Sequence, residues 1–485
     1  MRRTRAWSRG LHAAGILGLA VLLSGSYCSW RGYYVPGGLK SPVARTAIGP
    51  VGGFASVYVN GTEFVDDSAA FMLDGAAAAE SQLLVGQVAT VTGATASGGS
   101  GTPATGTATA VAVSTKLVGP VTAIDRPAGS VTVLGQTVQI TGDTSIGAGV
   151  APTDAGGLVV GQVVAIDGYR TSTGLIATRF DPATAGQTLR VAGVVANLNG
   201  FAQTFTIAGT TIDYSAASAG LPAQLADGSY VVASGATVSA AATLRAQLIV
   251  VQDEVPAAAS GASGSVHGAV TRYGSAADFD VGGQAVATSG TTTYQNGVSG
   301  NVGPDVEVEV SGSYDSAGVL NATSVALVPT ATVRVVGPIT AIDAAGRTLT
   351  VAGVTLGTTS ETRWDDRSAA LLRTFGFTSL QSGDWVVARG VPASGASATA
   401  RVIERETAPT PALVELQDVA TAVADPVFTL TGISVSAAAA TFTDADGVGL
   451  TRSTFFAQAA GRLVRARGSL SGSGTLNATT VALRN

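Results

Sequence analysis

Past its first 26 residues this chain offers one imidazole, His267, and one thiol, Cys28. Within a single chain, that pair cannot make a conventional structural zinc site or a site built on several histidines. No Gly-Xaa-Ser-Xaa-Gly elbow with a partner histidine is present, and no phosphate-binding glycine loop ends in Lys-Ser or Lys-Thr. His267, beside Gly268 in a strand pattern, reads as a strand surface residue. Carboxylates are the next chemistry to consider. Asp66-Asp67-Ser68-Ala69-Ala70 parallels Asp365-Asp366-Arg367-Ser368-Ala369-Ala370, and Asp444-Ala445-Asp446-Gly447 holds the corresponding place further on. Their hard oxygens make Asp66, Asp67, Asp365, Asp366, Asp444 and Asp446 the candidates for a calcium site. The simpler reading takes precedence: solvated turns in which an Asp caps a short helix. No Glu follows Gly447 at the spacing of an EF-hand loop.

Aromatic platforms are few. Trp364 and Trp385 could stack on a sugar, and Trp385, out of phase with inward Val386, reads as the more exposed. Packing in a core or at a rim accounts for both equally well. Nucleic acid is not an expected partner, because its recognition needs a basic track with stacking aromatics. This protein has formal charge −5, 6% aromatics, and Lys40 and Lys116 as its lysines. With no nucleophile pair, metal set or cofactor motif, the chain reads as a non-enzyme that needs no cofactor.

The N-terminus addresses location. Arg2, Arg3, Arg5 and Arg9 precede the apolar run Ala13 to Leu23, and small residues Ser24, Gly25 and Ser26 follow. A charged start, a short apolar stretch and a small-residue exit describe a secretory signal peptide over residues 1–26. No later segment reaches the ~20 apolar residues of a spanning helix. Loss of the four arginines takes the formal charge from −5 to −9. Cys28 then has two readings, a lipidated residue that anchors the mature chain or a stray thiol. Gly25-Ser26-Tyr27 departs from the usual lipobox, with Tyr27 as the main objection. An intramolecular disulfide is excluded.

These residues must be positioned by something, and the strongest signal for it is repetition. Ser56-Val57-Tyr58-Val59-Asn60-Gly61-Thr62-Glu63-Phe64 returns as Ser130-Val131-Thr132-Val133-Leu134-Gly135-Gln136-Thr137-Val138, then around Gly209, Gly283, Gly353 and Gly432. The intervals between these glycines are 74, 74, 74, 70 and 79. Alternation on both sides of a two-residue turn predicts a β-hairpin. A strand precedes each hairpin, as in Gly119-Pro120-Val121-Thr122-Ala123-Ile124-Asp125 and Gly337-Pro338-Ile339-Thr340-Ala341-Ile342-Asp343. A fourth strand runs between glycines seven apart: Gly86 to Gly93, Gly161 to Gly168, Gly228 to Gly235, Gly383 to Gly390 and Gly461 to Gly468. The remaining module has Asp305 in place of the first glycine and ends at Gly312. Columns Ala89, Val164, Val231, Val308, Val386, Val464 and Val91, Ile166, Ala233, Val310, Ala388, Ala466 are apolar and face a core. Glu307 and Glu309, flanking Val308, must point outward. A fifth strand such as Leu175 to Phe180 or Leu476 to Val481 closes each module.

Between strands three and four lies the variable segment; in the first module Ala76 to Glu80 is helical by propensity. Three strands, a variable connection and two more strands is the order of an OB-type barrel. A meander sandwich fits less well, since its edges stay exposed. The expectation is an all-β tandem array of about six small five-stranded OB-like modules. A flexible linker covers 27–46, and the modules cover 47–115, 116–184, 188–255, 262–330, 332–408 and 411–485. Modules of this size are near the lower limit for an independent core, so neighbours should supplement one another.

The repeated residues resemble the bacterial family known as domain of unknown function 5666. The likeness is best over Val118 to Ala183 and Arg334 to Glu406, and weaker in the third and fourth modules. The first and sixth are degenerate; the sixth lacks the glycine of its opening strand, Val414 to Val423. The resemblance implies an exported, often lipid-anchored bacterial protein of tandem β-barrels, and it carries no active-site residues. The resulting expectation is a non-enzymatic structural or interaction scaffold in the periplasm, at the outer membrane or on the cell surface, its partner an unknown envelope protein or glycan. Membrane contact would come only through a lipid at Cys28. A ligand-binding protein for glycan or calcium, using the loops after strand three, is the alternative.

Overall fold

In the computed structural model, the described residues are 43–96, 104–148, 150, 157–183, 186–217, 221–240 and 242–484. The segment expected to be a signal peptide, most of the expected linker and Cys28 lie outside them. From residue 43 onward the chain forms one compact unit whose regular elements are nearly all strands.

The second barrel shows the plan. Its five strands are Leu117–Asp125, Ser130–Val133, Gln136–Ile146, Val163–Arg170 and Gly174–Pro182. Strand one pairs with two, two with three, three with five in parallel, five with four, and four with one. That circuit, 1-2-3-5-4-1, is the closed order of an OB-type barrel. The fourth and fifth barrels, which open on strands Ser263–Ser275 and Val333–Asp343, close by the same circuit. In the first barrel, strands one and two are joined only by the bridge Val51–Val59. The third barrel breaks strands one, four and five, so its pairings split into two sheets. The two apolar columns of strand four are fully buried.

All six hairpins turn through two consecutive left-handed residues: Asn60-Gly61, Leu134-Gly135, Ala208-Gly209, Gly282-Gly283, Ala352-Gly353 and Thr431-Gly432. This is the type I′ turn, whose twist matches the flanking strands. The two glycine columns of strand four have different causes. At its start the backbone is left-handed, with φ 94° at Gly383. Asp305 accepts φ 63° there, and its carboxylate takes the backbone N–H of Ser172 in the second barrel at 2.8 Å. At its end the glycine sits at a bulge against strand five. A Cβ on Gly390 would stand 2.0 Å from the Thr399 carbonyl oxygen, and Gly93, Gly168, Gly235, Gly312 and Gly468 are placed alike. Gly390→Ala is therefore expected to cost about 1–3 kcal/mol as an overpacking change, measured as a lowered melting temperature.

Two local expectations are corrected. Ala76 to Glu80 is not helical. Ala70–Leu73 and Ala76–Ala78 form a hairpin through left-handed Asp74 and Gly75, and a 3-10 turn, Glu80–Gln82, follows. Its first strand runs parallel to strand five, so sheet pairing outweighs alanine's propensity. The α-helix of the described residues lies in the sixth barrel instead, at Arg452–Gln458. Thr451 caps it by accepting from Thr454 N–H, and Phe455 packs inward against Phe428 and Phe442. No helix among the described residues is long and apolar enough to cross a membrane.

The barrels do not run as beads in chain order. They join in pairs through their first strands: the second with the third, the fifth with the sixth, and the first with the fourth. In the last pair Arg45–Ile48 runs parallel to Ser263–Val266. Ion pairs and hydrogen bonds then tie the pairs together. Arg179 donates to the Val85 carbonyl at 2.7 Å, Arg389 to the Thr144 carbonyl at 2.6 Å, and Arg373 pairs with Glu80 at 2.9 Å.

Candidate functional site

The first, second, fourth and fifth barrels meet around a small polar cavity of about 40 Å³. The hairpin turn of the first barrel supplies Asn60, whose amide donates to the Ile48 carbonyl at 2.9 Å and to Ser265 Oγ of the fourth barrel at 3.2 Å. The second barrel supplies Asp143 from strand three, Tyr169 from strand four and Thr178 from strand five. His267, Glu307 and Glu309 come from the fourth barrel, and Arg363 and Arg401 from the fifth. Alternation explains the convergence: each of these barrels turns its apolar phase inward and its polar phase toward the junction.

His267 and Glu307 form the central pair. Nε2 lies 2.8 Å from Glu307 Oε1, and the imidazole stacks on Tyr169 with ring centroids 5.3 Å apart. Burial works against the imidazolium, yet the hydrogen bond and charge of Glu307 outweigh it and raise the His267 pKa. Burial likewise pushes Glu307 up, and the bond to His267 reverses this, leaving its pKa lowered. Glu309 and Asp143 are raised, mainly by burial, with nearby cations opposing. Arg363 donates to the backbone carbonyls of Asp143 and Thr178, and so fastens the fifth barrel onto the second. Four oxygens of cavity-lining residues have no hydrogen-bond partner among the described residues: Asn60 Oδ1, Asp143 Oδ1, Tyr169 Oη and Thr178 Oγ1. A polar cavity of this size has room for bridging water. Chemically the arrangement is a buried ion pair within the fourth barrel, covered by Tyr169 of the second, with Arg363 of the fifth fastened to the second beside it.

The residues marked from sequence are dispersed. The expectation of a surface position for His267 is corrected: its side chain is 14% exposed, because another barrel covers that strand. Glu307 and Glu309 do point away from their own core, but into the junction rather than into solvent. Trp385, expected to be the more exposed tryptophan, is buried at 6%. It packs into the hydrophobic core of the fifth and sixth barrels, at the border of a larger cleft of about 410 Å³ with Arg334, Arg367 and Glu406. Trp364 packs edge-on against Phe375 and Phe377, and its backbone N–H donates to the Gly52 carbonyl of the first barrel at 2.8 Å.

The carboxylate candidates act within the fold. Asp366 accepts from Arg405 at 2.6 Å and from Leu372 N–H at 2.7 Å. Against the upward push of burial, these bonds hold its pKa well below the usual range. Asp365 pairs with Arg367 at 3.0 Å, and Asp444 caps its own turn by accepting from Asp446 and Val448 N–H. Asp66 caps a turn through its backbone carbonyl, which accepts from Ala69 N–H. Among the described residues no group of three or more His, Cys, Asp and Glu is placed to hold a metal ion.

Asp143, Tyr169, Thr178, Arg363 and Arg401 were not singled out by sequence. A signal for the charged ones existed. In a chain with 12% charged residues, Glu307 and Glu309, and Arg401, Glu404 and Arg405, cluster within strands, where isolated barrels would have little use for them.

Comparison with known proteins agrees with this architecture. The family model described as Domain of unknown function (DUF5666) matches residues 118–180, 267–326 and 336–404, which lie in the second, fourth and fifth barrels. No curated protein matches the chain. The three barrels that match are also three of the four that surround the His267 junction, and the matches support tandem copies of a domain of unknown function.

Proposed function

We propose that this protein is a non-enzymatic structural scaffold of the bacterial cell envelope, in which six barrels are consolidated into one rigid body that presents a surface to an envelope protein or glycan. The observation that carries the reading is the pairing of barrels distant in sequence, the first with the fourth, reinforced by the hydrogen bonds of Arg45 and Asn60 to Ser265 across it. A flexible spacer would instead keep its modules separate and linked by exposed segments. The charged and apolar pattern of residues 1–26 supports export, and Cys28 supplies the one side chain suited to lipid anchoring.

Limited proteolysis of the mature chain separates the two architectures. The scaffold reading expects one resistant body of nearly full length, whereas release of single barrels at low protease would defeat it. Intact-mass analysis of the envelope fraction gives the second test. A diacylated Cys28 supports an anchored scaffold; recovery of the chain with an intact N-terminus in the cytoplasm overturns the location.

A further inference from the structure

Apart from two tyrosines, seven ionisable side chains line the cavity around His267. Asp143 comes from the second barrel, His267, Glu307 and Glu309 from the fourth, and Glu361, Arg363 and Arg401 from the fifth. From the first barrel, Arg45 acts on Glu309 beside them. Four carboxylates of the lining thus face two guanidiniums, and the charge of one imidazole decides how nearly they balance. Arg363 is engaged, donating to the Asp143 and Thr178 carbonyls and lying 3.8 Å from the Asp143 carboxylate. Arg401 repels the imidazolium rather than replacing it.

The imidazole is also where the fourth barrel meets the second. It stacks on Tyr169 of strand four, and Ser172, three residues on, donates from its backbone to Asp305 of the fourth barrel. A neutral imidazole can keep its bond to Glu307 through an Nε2–H, but it no longer offsets that carboxylate's charge. Uncompensated charges repel more strongly in a buried space than in water.

We infer that this junction is a proton-dependent latch, which holds the second and fourth barrels together while His267 is protonated and loosens when that proton leaves. The inference rests on the consolidated body proposed above and adds that its closure depends on pH. Burial opposes the imidazolium, and the bond and charge of Glu307 overcome it, so the His267 pKa lies above its ordinary value of about 6.5. Stability from such a base is full below the ordinary value and is lost as pH rises through the folded value. Asp143 and Glu309, raised by burial, favour closure at low pH in the same sense. Glu307 has the opposite sign, and its lowered pKa leaves that share intact where the imidazole titrates. Burial keeps the phenols of Tyr58 and Tyr169 protonated there, with Tyr58 pushed up to about 12.

The mature chain has one imidazole, so its NMR titration is unambiguous. The midpoint should lie above about 6.5. Hydrogen exchange in strands Val163–Arg170 and Ser263–Ser275, corrected for its intrinsic rate, should step upward through the same interval. The two readouts are linked: each unit of displaced midpoint should make opening about tenfold more frequent above the step than below it. An Asp167→Asn background removes the one other titrating carboxyl of that strand from the comparison. In this background His267→Gln should exchange at the faster rate at every pH, and Glu307→Gln should move midpoint and step together to lower pH. A midpoint at or below the ordinary value, a displaced midpoint without its step, or a step that persists in His267→Gln overturns the latch. A proteolysis-resistant body with pH-independent opening would defeat the latch alone, whereas release of single barrels at every pH would defeat the scaffold.

Discussion

Replacing Glu404 by leucine is expected to destabilise the protein by about 3–5 kcal/mol, the typical cost of leaving a buried charge without its partner. Glu404 has no exposed surface and lies on strand five of the fifth barrel. Its Oε1 is 2.6 Å from Arg389 Nη2 and 2.7 Å from Arg367 Nη2. Burial is the main force on Arg389, and it lowers that guanidinium's pKa to about 10 even with Glu404 opposing. Without the carboxylate, two guanidiniums would face one another in a buried interface, one of them still bound to the second barrel through the Thr144 carbonyl. Chemical denaturation should show a lower midpoint for Glu404→Leu and a smaller loss for Glu404→Gln, which keeps a hydrogen-bond acceptor. The double variant Arg389→Met with Glu404→Leu should recover part of the loss, because the orphaned charge is removed with its partner. A Glu404→Leu protein that unfolds at the parent midpoint would show that this pair contributes nothing.

Asp167→Asn should act in the other direction. Asp167 lies on strand four of the second barrel, 4% exposed, with Oδ2 accepting from Gln87 Nε2 of the first barrel at 3.2 Å and Oδ1 without a partner. Burial pushes its pKa up to about 7, against the pull of the Gln87 bond. A carboxyl with a raised folded pKa binds its proton more tightly when folded, so this group stabilises the fold at low pH. That benefit disappears as pH rises from about 4 to about 7, and above this the folded state bears the full cost of a buried anion. A displacement of this size corresponds to up to about 4 kcal/mol. The difference in unfolding free energy between Asp167→Asn and the parent should therefore be near zero at pH 4, grow toward pH 7, and level off above it. A difference that stays constant across this range would show that Asp167 titrates normally.

The sequence carries most of the barrel and little of the assembly. Strand order, the hairpin glycines and the buried columns of strand four follow from periodicity, because a barrel's own core imposes the alternation that reveals it. The Ala76 to Glu80 segment escaped because the strand it folds back on, Ala70–Leu73, is held by parallel pairing with strand five between residues 40 apart. His267 escaped for a related reason: alternation tells which phase faces a barrel's core, and is silent on whether a second barrel covers the other phase. Glu307 shows both halves of the lesson, since its outward direction was legible and its burial against Tyr169 and His267 was not. The candidate cavity draws three to six residues from each of four modules, so no local window contains it. The glycine column ending at Gly390 was visible as a pattern; its cause, a carbonyl in strand five, needed the bulge.

The parallel pairing of the first and fourth barrels sets an order of assembly. Arg45 and Ser265, which meet across it, are 220 residues apart. The second and third barrels, and the fifth and sixth, find their partners among immediate neighbours. The first barrel must wait until the fourth has been made, and the edge of its opening strand stays unsatisfied meanwhile. An unpaired edge is a template for a neighbouring chain, and contacts of such separation slow folding. The fourth barrel's opening strand is thus the late closing step, and the interval before it closes is when newly made chains are most prone to join one another instead.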